Sequence, residues 1–332
     1  MEIIAGDIGG TKSWLVRVAE NEGLSHPPRY EQVYASSDFA DMRSLLRRFM
    51  QDAQFAAPPV RMVLALPGAI RGRQVRLTNL DWMLDADALQ AEFGMTEVRF
   101  INDFEAAAEG VSTLTSSDCI ALNAQAVENG GVRAITGAGT GLGLAWMMAE
   151  QDGQYRAWPS EGGHIDFAPA DARQMRLLEF VRDELDAADA AAHVSWERLV
   201  SGLGLGSLYR FCRQEAGAAM PAETAPDGAA ISALAAAGDT AADAALELFV
   251  ELYGAWVGNV ALLYKPSGGL YIAGGLATHL RQRMQSPRFM AACTDKGRMR
   301  GVVEATPIFL ITNKRLGVQG ATRVALQRLH DI

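Results

Sequence analysis

Two short glycine-rich stretches contain the residue types that bind phosphate. GDIGGTKS spans residues 6–13, directly after the apolar run EIIA, and GAGTGLG spans residues 137–143. Glycine adopts positive φ and has no Cβ, so backbone N–H groups in such loops can approach a phosphate closely, and a threonine hydroxyl adds a donor. Two loops of this kind could hold one polyphosphate from both sides. Taken alone, either loop is better explained as a hairpin turn, and neither matches GxxxxGK[ST] or a complete GxGxxG.

Polar side chains that could read hydroxyl groups occur in three other stretches. Asn102 and Asp103 directly follow the apolar segment VRFI, where a strand gives way to a helix. Open α/β sheets bind ligands at that end of their strands. Glu161 and His164 stand on either side of a Gly-Gly turn, which would let them converge on one small polar ligand. Glu197 lies in the first turn of a predicted helix.

Each of these residues also has a purely structural interpretation. Asn and Asp are good N-cap residues, so the junction at Asn102 and Asp103 would use one of them, although two exceed what one cap needs. Glu197 suits the positive end of a helix dipole. A lone histidine such as His164 is more often a hydrogen-bonded turn residue. The residues taken singly leave both interpretations open.

Alternating apolar periods predict the elements that position these residues. In the first third, strand patterns occur at EIIAGDI, SWLVRVA, YEQVYAS, VRMVLALPG and EVRFI, and helical patterns at DFADMRSLLRRFMQDA, DADALQAEFG and FEAAAEGV. Asp38 is placed to cap the first of these helices, and Gly94 to end the second. This order predicts a mixed sheet with crossover helices.

The pattern starts again near residue 133. VRAITGAGTGLGLAWMMA is strand, glycine loop and strand, and helices dominate from there to residue 265, including a long Ala-rich helix from about Asp239 to Tyr264. The strand patterns GGLYIAGG and PIFLIT follow, and GVQGATRVALQRLH is a final helix. We therefore expect two related α/β domains, a small one formed by residues 1–113 and 314–332 and a large one formed by residues 114–313.

The motifs INDF, GAGTGLG, EGGHIDFAP, ERLVSG and AGG occur in this order over nearly the whole chain. Together they resemble the bacterial-type glucokinases, within the superfamily of sugar kinases, hexokinases and actin. The resemblance implies two actin-like, ribonuclease H-like domains, a duplicated mixed sheet with crossover helices, around an interdomain cleft. It also implies ATP-dependent phosphorylation of glucose to glucose 6-phosphate, a place in glycolysis, and a homodimer.

The resemblance assigns a role to each motif residue. It implies that Asp103 is the catalytic base and that sugar hydroxyls are bound by Asn102, Asp103, Glu161, His164 and Glu197, with Pro67, Gly68 and Asn79 lining the sugar pocket. It implies that the ATP phosphates are held by Gly6, Asp7, Gly9, Gly10, Thr11, Lys12, Gly137, Gly139, Thr140 and Gly141. Gly274 and Gly275 would lie near the adenosine, and Asp7 would steer Mg²⁺ through water.

Two positions depart from the family pattern. Lys12 stands where the nearest glucokinases have asparagine, and DIGGTK is the spelling of the related repressor, open-reading-frame and kinase group. The zinc-binding cysteine cluster of that group is missing after His164, so this histidine is expected to contact sugar and not metal.

These residue types suit transfer of a γ-phosphoryl group to an alcohol. The reaction needs donors around the phosphates, a divalent cation and a carboxylate within reach of the attacking hydroxyl. The alternatives are a kinase for another hexose or an N-acetylhexosamine and, from another class, a sugar-sensing regulator. A regulator needs a DNA-reading module, and the first predicted strand already begins at residue 2.

Composition limits the partners. The 332 residues carry a net charge of -9 without a basic run, so nucleic acid is not an expected partner. The three cysteines are Cys119, Cys212 and Cys293; they are far apart, form no CxxC pair and fit a reducing cytoplasm. No signal-peptide pattern and no run of about 18 apolar residues occurs, so we expect no membrane association.

Overall fold

The computed structural model describes residues 1–68, 70–77, 80–187, 193–218 and 226–327, and they form an α/β protein with mixed sheets. The chain divides into two compact units. Unit 1 comprises Met1–Asp118, Tyr155–Ala157 and Asn313–Ile332, and unit 2 comprises Cys119–Gln154 and Trp158–Thr312. The domain limits expected from the sequence stay a prediction.

The strands are β1 (Glu2–Ile8), β2 (Lys12–Ala19), β3 (Tyr30–Ala35), β4 (Arg61–Leu66), β5 (Ile70–Arg71), β6 (Gln74–Arg76), β7 (Met83–Asp85), β8 (Glu97–Asn102), β9 (Cys119–Ala121), β10 (Arg133–Ala138), β11 (Leu142–Ala149), β12 (Tyr155–Ser160), β13 (Leu270–Ala273) and β14 (Ile308–Ile311). The α-helices in the described residues are α1 (Met42–Asp52), α2 (Ala86–Phe93), α3 (Asp103–Val111), α4 (Ala172–Ala187), α5 (Gly202–Glu215), α6 (Gly228–Ala236), α7 (Thr240–Tyr264), α8 (Gly275–His279), α9 (Arg281–Met284), α10 (Pro287–Thr294), α11 (Arg300–Glu304) and α12 (Leu316–Leu326).

Unit 1 is built on a five-stranded sheet with the order β3-β2-β1-β4-β8. Its central strand alternates, so Ile4 and Ile8 enter one apolar cluster while Ile3 and Ala5 enter another. Helix α1 packs into the first cluster with an apolar stripe of helical spacing, and α12 packs into the second. The sheet is thus covered on both faces, and the turns that follow its strands carry the polar residues.

Unit 2 is built on a six-stranded sheet with the order β12-β11-β10-β13-β14-β9 and a single large apolar cluster. Helix α7 is the centre of that cluster, with Trp256 and Tyr253 fully buried. In the part of the chain that the structure describes, α7 is the one helix long and apolar enough to cross a membrane, but 67% of its apolar window is buried inside the protein. The burial marks it as a core helix.

The two sheets share one connectivity. β1 pairs antiparallel with β2 and parallel with β4, and β10 pairs antiparallel with β11 and parallel with β13. Each central strand therefore ends in a hairpin that contains one of the two glycine stretches. The repeat that the sequence predicted near residue 133 is present in the topology.

Local details differ from expectation in three places. Helix α1 is capped by Asp41 and not by Asp38, because Asp41 and Ser44 form a reciprocal capping box. Glu197 lies in a 3-10 turn, Trp196–Arg198, and α5 begins only at Gly202. The short sheet β5-β6-β7 was not predicted. Gly94 ends α2 as predicted, with a positive φ of 65°.

Candidate active site

The first glycine loop is a tight turn between β1 and β2. The Gly9 N–H donates to the Lys12 carbonyl at 2.8 Å, which closes the turn. Ser36 braces it from outside, because its hydroxyl donates to the Gly9 carbonyl at 2.7 Å and its N–H to the Thr11 carbonyl at 3.1 Å. Thr11 and Lys12 are exposed at the tip, and Gly10 is half-buried. The loop is therefore held in shape while its tip remains accessible.

Gly6 and Gly137 lie deeper than the loops, inside β1 and β10, where both are buried. A Cβ on Gly6 would come within 2.5 Å of Leu15 Cδ2, so a larger residue there would force neighbouring leucine side chains to move. The tip residues are better placed than these two to meet a ligand.

Asp7 and Asp103 are near neighbours within unit 1. Asp7 lies near the end of β1, and Asp103 is the exposed first residue of α3. Burial, followed by the charge of Asp103, raises the pKa of Asp7 to about 6. Gly317 of α12 packs directly against the Asp7 carboxylate, where a Cβ would overlap an oxygen. Two carboxylates thus face the end of the strand, and one of them is costly to ionise.

Asn102 is the N-cap residue of α3, as the structural interpretation of this junction predicts. Its Oδ1 accepts from the Phe104 N–H at 2.8 Å and from the Glu105 N–H at 3.4 Å. Asp103 Oδ1 also accepts from the Phe104 N–H, at 2.9 Å. Because Asn102 already supplies the cap, the carboxylate of Asp103 is not needed for that purpose.

The second glycine loop joins β10 to β11. The Gly139 N–H donates to the Gly141 carbonyl at 2.8 Å, while the Gly202 N–H donates to the Gly139 carbonyl at 2.8 Å. Gly139 and Thr140 are exposed, and Gly141 is half-buried. This loop, like the first, has an accessible tip on a fixed base.

Helix α7 and the start of α8 fix the base of the second loop. The Ala138 N–H donates to the Tyr253 hydroxyl at 3.0 Å, and Trp256 Nε1 donates to the Thr136 hydroxyl at 2.8 Å. Gly274 has a φ of 99° and packs against the Ala138 carbonyl, so neither its backbone nor the available space suits a side chain. Gly274 and the following Gly275, both exposed, are therefore brought beside the second loop.

Glu161, His164 and Glu197 form a polar cluster within unit 2. His164 Nδ1 lies 3.7 Å from Glu197 Oε1, and His164 Nε2 lies 3.9 Å from Glu161 Oε2. Of the two glycines between Glu161 and His164, Gly163 is required, because a Cβ there would overlap the Leu142 carbonyl oxygen, whereas a Cβ on Gly162 would meet only the end of the Leu144 side chain and the Ser160 hydroxyl. Glu161 and Glu197 therefore both lie near His164, and their convergence on one small polar ligand stays a prediction.

The remaining predicted sugar residues follow β4. Pro67 and Gly68 are half-buried, and Gly68 has a φ of 115°, a conformation that favours glycine. Asn79 lies outside the described residues.

A divalent cation fits the carboxylates of unit 1. Its positive charge would offset the two effects that raise the pKa of Asp7, namely the cost of a buried negative charge and the repulsion from Asp103. Among the described residues, no group of three or more His, Cys, Asp or Glu side chains is placed to hold a metal ion. Other ligands would then be phosphate oxygens and water, which Mg²⁺ commonly keeps.

Several residues of the site could not be found from the sequence. Ser36 and Gly202 brace the two loops, Gly317 packs on Asp7, and Tyr253 holds the base of the second loop. Ser36, Gly202 and Tyr253 have no local signal, because each acts on a residue distant in the sequence. Only Gly317, a glycine inside the predicted last helix, could have suggested close packing there.

A duplicated sheet with a glycine hairpin at the same place in each copy, together with paired carboxylates, is the arrangement of an actin-like phosphotransferase. A family model described as Glucokinase matches residues 4–328. A glucokinase of Synechocystis sp. is 37% identical to this chain, over 98% of this chain and 98% of the relative. The chain belongs to the glucokinase family.

Solved structures agree with that assignment. A crystal structure of glucokinase from an Antarctic psychrotroph matches with a TM-score of 0.83 and 30% identity, covering 98% of each chain. The glucokinase of Balamuthia mandrillaris, solved in complex with glucose, matches with a TM-score of 0.78 and 22% identity, covering 98% of this chain and 94% of that one. Such kinases have two actin-like domains and phosphorylate glucose with ATP, so the predicted fold class, family and enzyme are confirmed.

Proposed function

We propose that this chain transfers the γ-phosphoryl group of ATP to the 6-hydroxyl of glucose, with Asp103 as the base. The observation that carries this proposal is the placement of Asp103. Its carboxylate is exposed at the carboxyl end of β8, beside Asp7, on a helix that Asn102 already caps. A carboxylate that is not needed for capping and stands at the ligand end of a sheet can accept a hydroxyl proton.

Glucose recognition is assigned to Asn102, Glu161, His164 and Glu197, with Pro67, Gly68 and Asn79 on the substrate side. Carboxylates accept from hydroxyl groups, and an amide or imidazole can donate to them, so this set can read several sugar hydroxyls. Glu161 and Glu197 each have a carboxylate oxygen within 3.9 Å of an imidazole nitrogen of His164, which supports one shared polar ligand. A sugar without one of these hydroxyls would leave a polar group unpaired, which is a strong basis for selectivity.

ATP binding is assigned to the two glycine loops. Backbone N–H groups at Gly10, Thr11, Thr140 and Gly141 would surround the phosphates, and the exposed Lys12 adds a cation that asparagine could not supply. Gly274 and Gly275 would contact the adenosine. Mg²⁺ would be held by Asp7 through water, and when bound it spreads the charge of the transferring phosphoryl group.

The family resemblance also supports a magnesium-dependent homodimer in the cytoplasm that takes part in glycolysis and contacts neither membrane nor nucleic acid. Cys119, Cys212 and Cys293, all within the described residues, form no disulfide. Burial raises the pKa of the Cys212 thiol to about 11, which makes it unreactive. These features suit a reducing compartment.

A coupled ADP-release assay tests the proposal. Purified protein with ATP and Mg²⁺ is given glucose, mannose, fructose, galactose, N-acetylglucosamine or N-acetylmannosamine in separate reactions. We expect glucose to have the highest kcat/KM. Another hexose or an N-acetylhexosamine at the top would replace the substrate assignment, and no ADP release with any sugar would favour a sugar-sensing regulator. Zinc chelation should leave the rate unchanged.

A further inference from the structure

Glu197 makes a contact that sugar recognition does not explain. Its Oε2 accepts a hydrogen bond from the Leu142 N–H at 2.9 Å. Leu142 is the first residue of β11, directly after the loop at 139–141, and it pairs with Ala138 at the base of that loop. One carboxylate oxygen of a proposed sugar residue therefore accepts from the backbone at the end of the proposed phosphate loop.

The second oxygen of Glu197 is turned toward the polar cluster. Glu197 Oε1 lies 3.7 Å from His164 Nδ1, and 28% of the side chain is exposed. The two oxygens of the Glu197 carboxylate thus lie near two different groups, the Leu142 N–H and the His164 imidazole. A residue that only read the sugar would not need the first of these contacts.

The loop is shaped to receive this carboxylate. A Cβ on Gly141 would come within 2.5 Å of Glu197 Oε2, so glycine is needed there for the carboxylate to lie against the loop. The segment that carries Glu197 also supplies the Gly202 N–H, which donates to the Gly139 carbonyl. Residues 197–202 therefore hold the loop at both of its ends, once through a charged side chain and once through backbone.

We propose that Glu197 is a positioning residue for the phosphate loop at 139–141, so that nucleotide affinity depends on it even when no sugar is bound. The inference rests on the proposed nucleotide role of that loop. A hydrogen bond to a charged acceptor is among the stronger ones in proteins, and it fixes the direction of the loop's own N–H groups before the nucleotide arrives. Sugar that engages Glu197 would then act on a residue that already shapes the phosphate site.

The test measures binding of ADP without sugar by calorimetry. Glu197→Ala removes the acceptor and should weaken ADP binding about 10-fold or more. Glu197→Gln keeps an oxygen that can accept from the Leu142 N–H and should restore affinity to within about threefold of the original protein. Glu161→Ala is the matched control, because Glu161 is in the same cluster but has no bond to the loop, and it should leave ADP affinity without sugar unchanged.

The outcomes separate the inference from the proposed function. Equal ADP affinity in Glu197→Ala and the original protein would overturn the inference alone, as would an equal loss in Glu197→Gln and Glu197→Ala. An original protein that binds no ADP would overturn both. Thermal unfolding is measured on each variant, and if Glu197→Ala does not fold, Glu197→Asp replaces it, since its carboxylate is one methylene too short to reach Leu142.

Discussion

The two glycine loops occupy the same place in two sheets of the same connectivity, yet different chemistry holds them. The first loop is braced by a neutral hydroxyl, that of Ser36, and the acid of its sheet, Asp7, is in the central strand itself. The second loop is braced by the charged Glu197, and the position that corresponds to Asp7, two residues before the glycine that closes the turn, is the buried Gly137.

This difference suggests that the two units, which share the connectivity of their central strands, serve different parts of the reaction. Unit 1 places carboxylates at the strand ends, where a base and a cation-binding acid are useful for the transfer step. Unit 2 has apolar residues at the ends of β10 and β13 and places its acids in turns, where they can read hydroxyls and hold the loop. The shared connectivity around the central strand thus supports two kinds of site, because the residues at the turns differ.

The largest effect is expected from Asp103→Asn, which tests the catalytic side of the comparison. An amide keeps the shape and can hydrogen-bond a hydroxyl but cannot usefully accept its proton, so kcat should fall about 10²- to 10⁴-fold. kcat and kcat/KM should fall together, while glucose affinity by calorimetry and the melting temperature should change little.

The capping interpretation makes the opposite prediction for the same variant. Asn caps helices about as well as Asp, so a residue that only capped α3 would give full activity after substitution. A folded, glucose-binding Asp103→Asn protein with a kcat near that of the original would remove Asp103 from the mechanism.

The second largest effect is expected on the free energy of unfolding after Asp7→Asn, and the raised pKa of Asp7 determines whether the substitution stabilises or destabilises the protein. The folded protein binds this proton near pH 6, whereas the ordinary value for Asp is 3.8, so ionising Asp7 costs folding free energy above about pH 6 and nothing well below 3.8. Asp7→Asn should therefore raise the free energy of unfolding at pH 8, without ligands, by up to about 3 kcal/mol. The gain should be roughly half as large at pH 5.

Urea unfolding at the two pH values measures this gain. The control is Asp239→Asn in unit 2, because amide hydrogen bonds at the start of α7 hold the pKa of the Asp239 carboxyl below its usual range. Its substitution should lower and not raise stability at pH 8. An Asp7→Asn protein no more stable than the original would refute the cost assigned to Asp7.

A smaller effect is expected from Glu161→Gln. The Glu161 side chain is 93% exposed, so its substitution should leave the melting temperature unchanged. Exchanging a charged acceptor for a neutral one should raise KM for glucose about 5- to 10-fold with a smaller change in kcat. An unchanged KM for glucose would exclude Glu161 from the sugar site.

The smallest effect is expected from Ser36→Ala, which removes the neutral brace of the first loop. The Ser36 hydroxyl bonds Gly9 and Ser13, so its loss should cost about 1 kcal/mol of stability and raise KM for ATP about two- to fivefold. Ser44→Ala in the capping box of α1 should cost similar stability without moving KM for ATP. A rise in KM for ATP of about 10-fold or more, the size of the loss in ADP affinity expected for Glu197→Ala, would contradict the distinction between a neutral and a charged brace.

Local signals explain what the sequence could predict. The alternation in EIIAGDI, the glycine turn at GAGTGLG and the strand-to-helix junction before Asp103 are each contained within a few residues, so β1, β10 and α3 were found. Gly94 could be placed because a left-handed C-cap follows directly from residue type.

The features that the sequence did not predict depend on contacts between residues distant in the sequence, or on a choice between two residues that could play the same role. Ser36 meets Gly9 across 27 positions, and Gly317 meets Asp7 across nearly the whole chain. Asp38 and Asp41 could each cap α1, and only the reciprocal bond of Ser44 decides between them. The strands β5 to β7 are two or three residues long, too short for an alternation to be recognised.

The position of α12 in the chain has a consequence for biosynthesis. This helix covers one apolar face of the unit 1 sheet and packs on Asp7, yet it is translated roughly 200 residues after Asp118, where the first segment of that unit ends. At ribosomal rates of about 5–20 residues per second, the uncovered sheet waits about 10–40 s, while unit 2 can fold in the interval. A product released before α12 would therefore keep one apolar face of this sheet exposed, and it should be cleaved by proteases more readily than the full chain.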